Sequence, residues 1–154
     1  MMRLGLSVAV AVAALDQLSK WAVLDFFMDP PRVIKHLPFL DLVLVYNRGA
    51  SFGFLNINAQ WVPWLLTAIA AAVVIALIVW LRRVENRYLA AALGLIIGGA
   101  VGNGMDRVLR ERHAVVDFID FYVGAFHWPA FNIADSAIVI GVFIMLLDGL
   151  IIRR

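Results

Sequence analysis

The chain has 154 residues, 64% of them apolar, and a mean hydropathy of +0.91. That exceeds what a soluble domain of this size carries, so the composition describes a membrane protein, with residues 1–154 forming a single domain. The net charge is only +2, with the basic residues scattered through loops and chain ends, which argues against nucleic-acid binding. The absence of cysteine excludes disulfides, thiolate nucleophiles and cysteine metal sites.

The first expected span covers residues 4–27. Its opening run LGLSVAVAVAAL has the features of a secretory leader with a small-residue cleavage site. Apolar character resumes after Lys20 through WAVLDFF, however, so the whole is long enough to cross hydrocarbon. Asp16 and Lys20 stand at i and i+4 with the acid first, the favourable order for a helical ion pair, and their expected role is structural.

Between this span and the next, MDPPRVIKHLP is a proline-broken turn region and FLDLVLVYNRGASFGFL is rich in β-formers. A short sheet or hairpin outside the membrane is expected there, stopped by the turn signal Asn47-Arg48-Gly49. Taken alone, Asn47 and Gly49 are accounted for equally well by a tight turn. The second span, 61–81, carries no charge and has Trp61, Trp64 and Trp80 at its ends as interface anchors. Pro63 is tolerable in a first helical turn.

After the connector RRVENR comes the third span, 88–108. Gly98, Gly99 and Gly102 have the spacing that lets another helix approach closely. Asn103, Asp106 and Arg107 follow on one helical face near the membrane edge, either as a cap in which Asp106 pairs with Arg110 or as part of a site. The stretch 110–134 is too broken by charge to span and suits an interfacial segment or a gate over a cleft. The fourth span, 133–152, holds Asp135 in its first turn, Asp148 near its far end as an interfacial residue without chemistry, and is followed by Arg153-Arg154. Four spans put both termini on one side, and the arginines dense around the spans assign that side to the cytoplasm.

Asp106, Asp117, Asp120 and Asp135 are thus gathered between two apolar spans, where unpaired carboxylates are costly and suggest a site. Two close carboxylates supply both the base and the acid that peptide hydrolysis needs, sharing one proton. Asp117 and Asp120 are not separated by spacing. A Ser/Lys dyad drawn from Ser136 or Ser51 with Lys20 leaves the aspartates unexplained, and His36, His113 and His127 lack metal-ligand spacing, so neither metal nor cofactor is expected. A small proton-coupled transporter is the alternative, but the second span offers nothing more polar than Thr67.

Five runs in order, LDQLSK, YNRGASFGF, GNGMDR, VVDF and FNIADS, resemble the bacterial lipoprotein signal peptidase (signal peptidase II) family over Asp16 to Asp148. The resemblance implies an all-α integral membrane protein, with four transmembrane helices and a small extramembrane β-rich segment between helices 1 and 2. It implies an aspartic endopeptidase that removes the signal peptide of diacylglyceryl-modified prolipoproteins, cutting before the lipidated cysteine. Asp117 and Asp135 match the family's two catalytic aspartates, which leaves Asp120 as a solvated loop charge. Asn47, Gly49, Asn103, Arg107 and Asn132 match its supporting positions, with Asp16, Lys20 and Asp106 as structural polar residues. Ser51 replaces the usual second alanine after glycine. The implied partners are the prolipoprotein and membrane lipids, and the implied setting is the bacterial inner membrane, with a monomer whose active site faces the periplasm.

Overall fold

The computed structural model describes residues 1–49 and 60–152. In chain order it contains α1 (Met2–Ala22), continued by a π-helical turn over Val23–Phe27, then β1 (Ile34–Leu37), β2 (Leu40–Asn47), α2 (Val62–Leu81) and α3 (Arg87–Leu109). There follow β3 (Val115–Val123), β4 (Phe126–His127) and α4 (Ile133–Leu147), whose end passes into a π-helical turn over Asp148–Ile152. Four of the helices are long and apolar enough to cross a membrane, in the places the sequence leads one to expect. Ser51, Arg153 and Arg154 lie outside the described residues.

The hub is α3, which packs against α1, α2 and α4. Glycine permits this on two sides. A Cβ on Gly98 would fall 2.6 Å from the Ala9 carbonyl oxygen of α1, and one on Gly99 would fall 2.4 Å from that of Ala134 on α4. Both helices therefore rest on the α3 backbone, the close approach that small residues allow where lipid supplies no hydrophobic drive between helices. Asn86 starts α3 as an N-cap, its side chain accepting from the Tyr88 N–H at 2.8 Å. Its amide in turn donates to Asp148, which is only 5% exposed. Asp148, expected as an interfacial residue without chemistry, thus ties the end of the fourth helix to the cap of the third.

α2 is different. It buries only Val62, Pro63 and Leu81 and turns Leu65, Ile69, Val73, Ile75 and Val79 outward, the pattern of a lipid-facing scaffold helix. Pro63 sits in its first turn, where no backbone bond is lost.

The four strands form one antiparallel sheet in the order β1-β2-β3-β4. Only half of it comes from the expected place between the first two spans. The stretch expected as an interfacial segment or gate supplies β3 instead, paired to β2 with Tyr46 opposite Val116 and Val45 opposite Asp117. The reason is physical: the charges in VVDFIDFYV rule out a span but are compatible with a strand, and its β-branched and aromatic residues favour one. Val116 and Phe118 are buried with Val23 and Met28, so the sheet is seated on the end of α1.

Candidate active site

At the end of the bundle where the sheet sits, two aspartates from different elements are joined through one asparagine. Asn132 is the N-cap of α4, and with Asp135 it forms a capping box: the Asn132 side-chain oxygen accepts from the Asp135 N–H at 2.9 Å, and Asp135 Oδ2 accepts from the Asn132 N–H at 3.2 Å. The Asn132 side-chain amide, fully buried, also donates to Asp117 Oδ1 on β3 at 2.7 Å. Ordinary helix capping thus fixes one carboxylate and, through the other end of the same side chain, the second.

Two more amides complete the surroundings. Asn103 Nδ2, on α3, donates to Asp135 Oδ1 at 2.8 Å, and Asn47 Nδ2, at the end of β2, donates to Asp117 Oδ2 at 3.0 Å. Asn47 serves as a turn residue too. Its oxygen accepts from the Gly49 N–H at 2.8 Å, and Gly49 has φ +107°, open to glycine and strained for other residues. The turn and the site are therefore two uses of one side chain.

Beneath this pair lies a second, wholly buried group. The Lys20 ammonium bonds Asp16 Oδ2 at 2.8 Å, Asp106 Oδ2 at 2.7 Å and Asn103 Oδ1 at 3.0 Å, using its three protons. Arg110 adds a second cation, its Nε 2.8 Å from Asp106 Oδ1, so two carboxylates meet two cations. The expected helical pair of Asp16 and Lys20 is present, and so is the Asp106–Arg110 contact, but both belong to one network. Asp16 Oδ1 accepts from the Ala134 N–H at 3.0 Å, and Asp106 Oδ2 accepts from the Val116 N–H at 3.1 Å. Each inner aspartate therefore grips the backbone one residue before one of the outer aspartates.

Gln17 was not singled out in the sequence. Its amide reaches Asp106 Oδ1 at 2.9 Å and the Gly102 carbonyl at 3.0 Å, locking α1 to α3. Its position inside LDQLSK, between Asp16 and Lys20, was the available signal.

Asp117 is 1% exposed. Burial pushes its pKa up to about 6, with the negative charge of Asp135 adding to the rise, while the amides of Asn47 and Asn132 pull it down. Arg107 is close enough to interact through space with Asp106, Asp117 and Asp135 but forms no direct ion pair with them, and its Nε is buried without an acceptor. Asp120 is drawn away: it sits on β3, not in a loop, and its carboxylate meets His127 Nδ1 at 2.8 Å. Among the described residues no group of three or more histidine or acidic side chains is arranged to hold a metal.

A cleft of about 400 Å³ leads to Asp135, walled by Trp128, Phe131, Ser136, Val139 and Ile140. Val139 and Ile140 are largely exposed on the outer face of α4, so the cleft opens where lipid would lie.

The family profile described as "Signal peptidase (SPase) II" matches residues 8–151. A lipoprotein signal peptidase of Paraburkholderia phymatum is 47% identical over 147 residues, which cover 94% of this chain and 86% of that one. One of Methylorubrum extorquens is 46% identical over 151 residues, covering 96% and 86%. Two solved structures, each described as a bacterial membrane enzyme, are 32% identical to the chain. They superpose with TM-scores of 0.80, covering 96% of this chain and 92% of the other, and 0.79, covering 95% and 87%.

Proposed function

The chain belongs to the signal peptidase II family, a family of multi-pass bacterial inner-membrane proteases, and from that premise we propose that it removes signal peptides from diacylglyceryl-modified prolipoproteins as an aspartic endopeptidase. The cut falls before the lipidated cysteine. The observation that carries the chemistry is Asn132, one residue bonded to both Asp117 and Asp135.

Asp135, in the first turn of α4, accepts two N–H donors and borders the open cleft. It is the base that takes a proton from the attacking water. Asp117, buried and holding its proton to about pH 6, donates to the carbonyl oxygen as the tetrahedral intermediate forms. The proton on Asp135 then passes to the leaving nitrogen while Asp117 takes one back from a hydroxyl of the intermediate; the C–N bond breaks to give a carboxylic acid and an amine, and the pair returns to one shared proton. Arg107 lends a positive field to the developing negative charge. Asn47, Asn103 and Asn132 hold the two carboxylates in place, and Gly49 holds Asn47. Both aspartates come from one chain, so a monomer acting as a single domain suffices.

An apolar cleft opening toward lipid suits a substrate anchored in the bilayer. The site lies at the opposite end of the bundle from the arginine-rich connector 82–87, so by the positive-inside rule it faces the periplasm, with both termini in the cytoplasm. Reporter fusions near Arg83 should read cytoplasmic and those near Phe126 periplasmic. The function itself is tested with the purified protein in detergent and a diacylated prolipoprotein. Mass spectrometry should find a product beginning at the lipidated cysteine, and absence of any product, in conditions where a relative cleaves, would remove the peptidase reading.

A further inference from the structure

A second cleft shares no lining residue with the one at Asp135. At the level of the first turn of α2 there is a cleft of about 360 Å³ lined by Arg48, Gln60, Pro63, Trp64, Arg112 and His113. No lining residue is acidic, and among the described residues neither Arg48 nor Arg112 has an ion-pair partner. The cleft is held in shape all the same. The Arg112 guanidinium lies over the Tyr46 ring, 4.2 Å from its centroid, and the His113 ring packs against Trp64 with centroids 5.0 Å apart. His113 has φ +47°, a strained value for a non-glycine, and Nδ1 donating to the Arg107 carbonyl at 2.9 Å helps hold it there.

Starting one turn further along α2 lies an apolar groove of about 240 Å³ between α2 and α3, lined by Thr67, Ala71 and Val74 on one side and Ala100 and Gly104 on the other. Small side chains leave it open, and a Cβ on Gly104 would meet nothing within 4 Å. Trp61 and Trp64, both about half exposed, mark the headgroup level beside it. A basic pocket at that level, with an apolar groove starting one turn further along α2, matches the polarity profile of a single phospholipid.

We infer that this is a binding site for an anionic phospholipid, with the phosphate between Arg48 and Arg112 and an acyl chain along Ala71, Ala100 and Gly104. Paired guanidinium groups match phosphate oxygens in geometry as well as charge. A diacylglyceryl group alone has no use for them, which separates this site from one for the substrate's own lipid.

The test is native mass spectrometry of the purified full chain in detergent, titrated with palmitoyl-oleoyl phosphatidylglycerol and, separately, with palmitoyl-oleoyl glycerol, which has the same chains without phosphate. The phospholipid should be retained about thirtyfold better, the contribution expected of two arginines near a membrane surface. The double variant Arg48→Ala/Arg112→Ala should erase that advantage and leave the diacylglycerol unchanged, and Gly104→Leu should weaken both lipids. Thermal unfolding of the variants serves as a fold control, since the altered side chains are exposed or face open space. Equal retention of the two lipids, or phospholipid retention indifferent to both variants, overturns the inference. Displacement of the phospholipid by millimolar inorganic phosphate would also overturn it, in favour of a free-anion site.

Discussion

Two pairs of aspartates lie in successive layers at one end of this bundle, and they are treated in opposite ways. The inner pair, Asp16 and Asp106, is fully buried and neutralised by Lys20 and Arg110. The outer pair, Asp117 and Asp135, is surrounded by the neutral amides of Asn47, Asn103 and Asn132 and has no ion-pair partner among the described residues. Cations face the inner carboxylates, whereas Asp117, buried beside Asp135 with no cation bonded to it, holds its proton to a higher pH although the amides around it favour its charge. The same residue type thus acts as scaffold in one layer and, on the reading proposed above, as acid and base in the next. The layers are coupled through the Ala134 and Val116 N–H groups and through Asn103, which accepts from Lys20 and donates to Asp135.

The sharpest way to break the contrast is to neutralise one member of each pair. Asp117→Asn and Asp135→Asn should each lower the cleavage rate at least about a thousandfold, because an amide neither accepts the proton of water nor donates one to the leaving group. The double variant should be no worse than either single one, since the pair works as a unit. Substrate capture, measured beside the rate, should largely survive. Additive losses would mean that the two aspartates act independently.

In the inner layer the damage should fall on stability first. Lys20→Met strands two buried carboxylates with only Arg110 near one of them, at a cost of about 3–5 kcal/mol, read from thermal unfolding in detergent. Adding Asp16→Asn should restore a large part, because Asp106 and Arg110 then balance. A double variant less stable than Lys20→Met alone would show that the Asp16 bond to Ala134 matters more than its charge.

Asp117 also leaves a signature in pH. Its pKa rises from 3.8 to about 6 on folding, so between those values the folded state binds more protons than the unfolded state. Stability must therefore fall as pH rises through that window, by roughly 3 kcal/mol in total. Asp117→Asn should flatten this segment of the stability curve relative to the parent. Removing the Asn47 amide, which favours the ionised form, should move the parent's loss to higher pH. An unchanged slope in Asp117→Asn would place the shared proton elsewhere.

Much of this was legible in the chain. The four spans follow from length and hydropathy, and Asp16, Lys20, Asn103, Asp106, Asn132 and Asp135 all stand in runs whose polarity is costly in a bilayer. Two things were not legible. Val116 and Ala134 contribute backbone N–H groups, which carry no side-chain signal. The union of β2 and β3 into one sheet is a long-range pairing, and neither segment shows the alternation that reveals a strand facing water, because Val115 through Phe118 are all buried.

The smallest expected effect concerns Asp120, and it follows from that missed strand. Three residues apart on a helix, Asp117 and Asp120 would share a face and compete for one role; on β3 the same spacing sends them to opposite faces. Asp117 meets Asn47 and Asn132, whereas Asp120 meets His127, whose ring stacks on Tyr122 with centroids 4.9 Å apart. Asp120→Asn therefore weakens a contact with a histidine that is 53% exposed, a loss of well under about 1 kcal/mol. It also relieves Asp41, the like charge directly across from it on β2, which offsets part of that loss. Cleavage should stay within about threefold of the parent and unfolding within a degree or two. If Asp120→Asn is inactive while Asp117→Asn still turns over, the acid of the pair has been assigned to the wrong face of the strand.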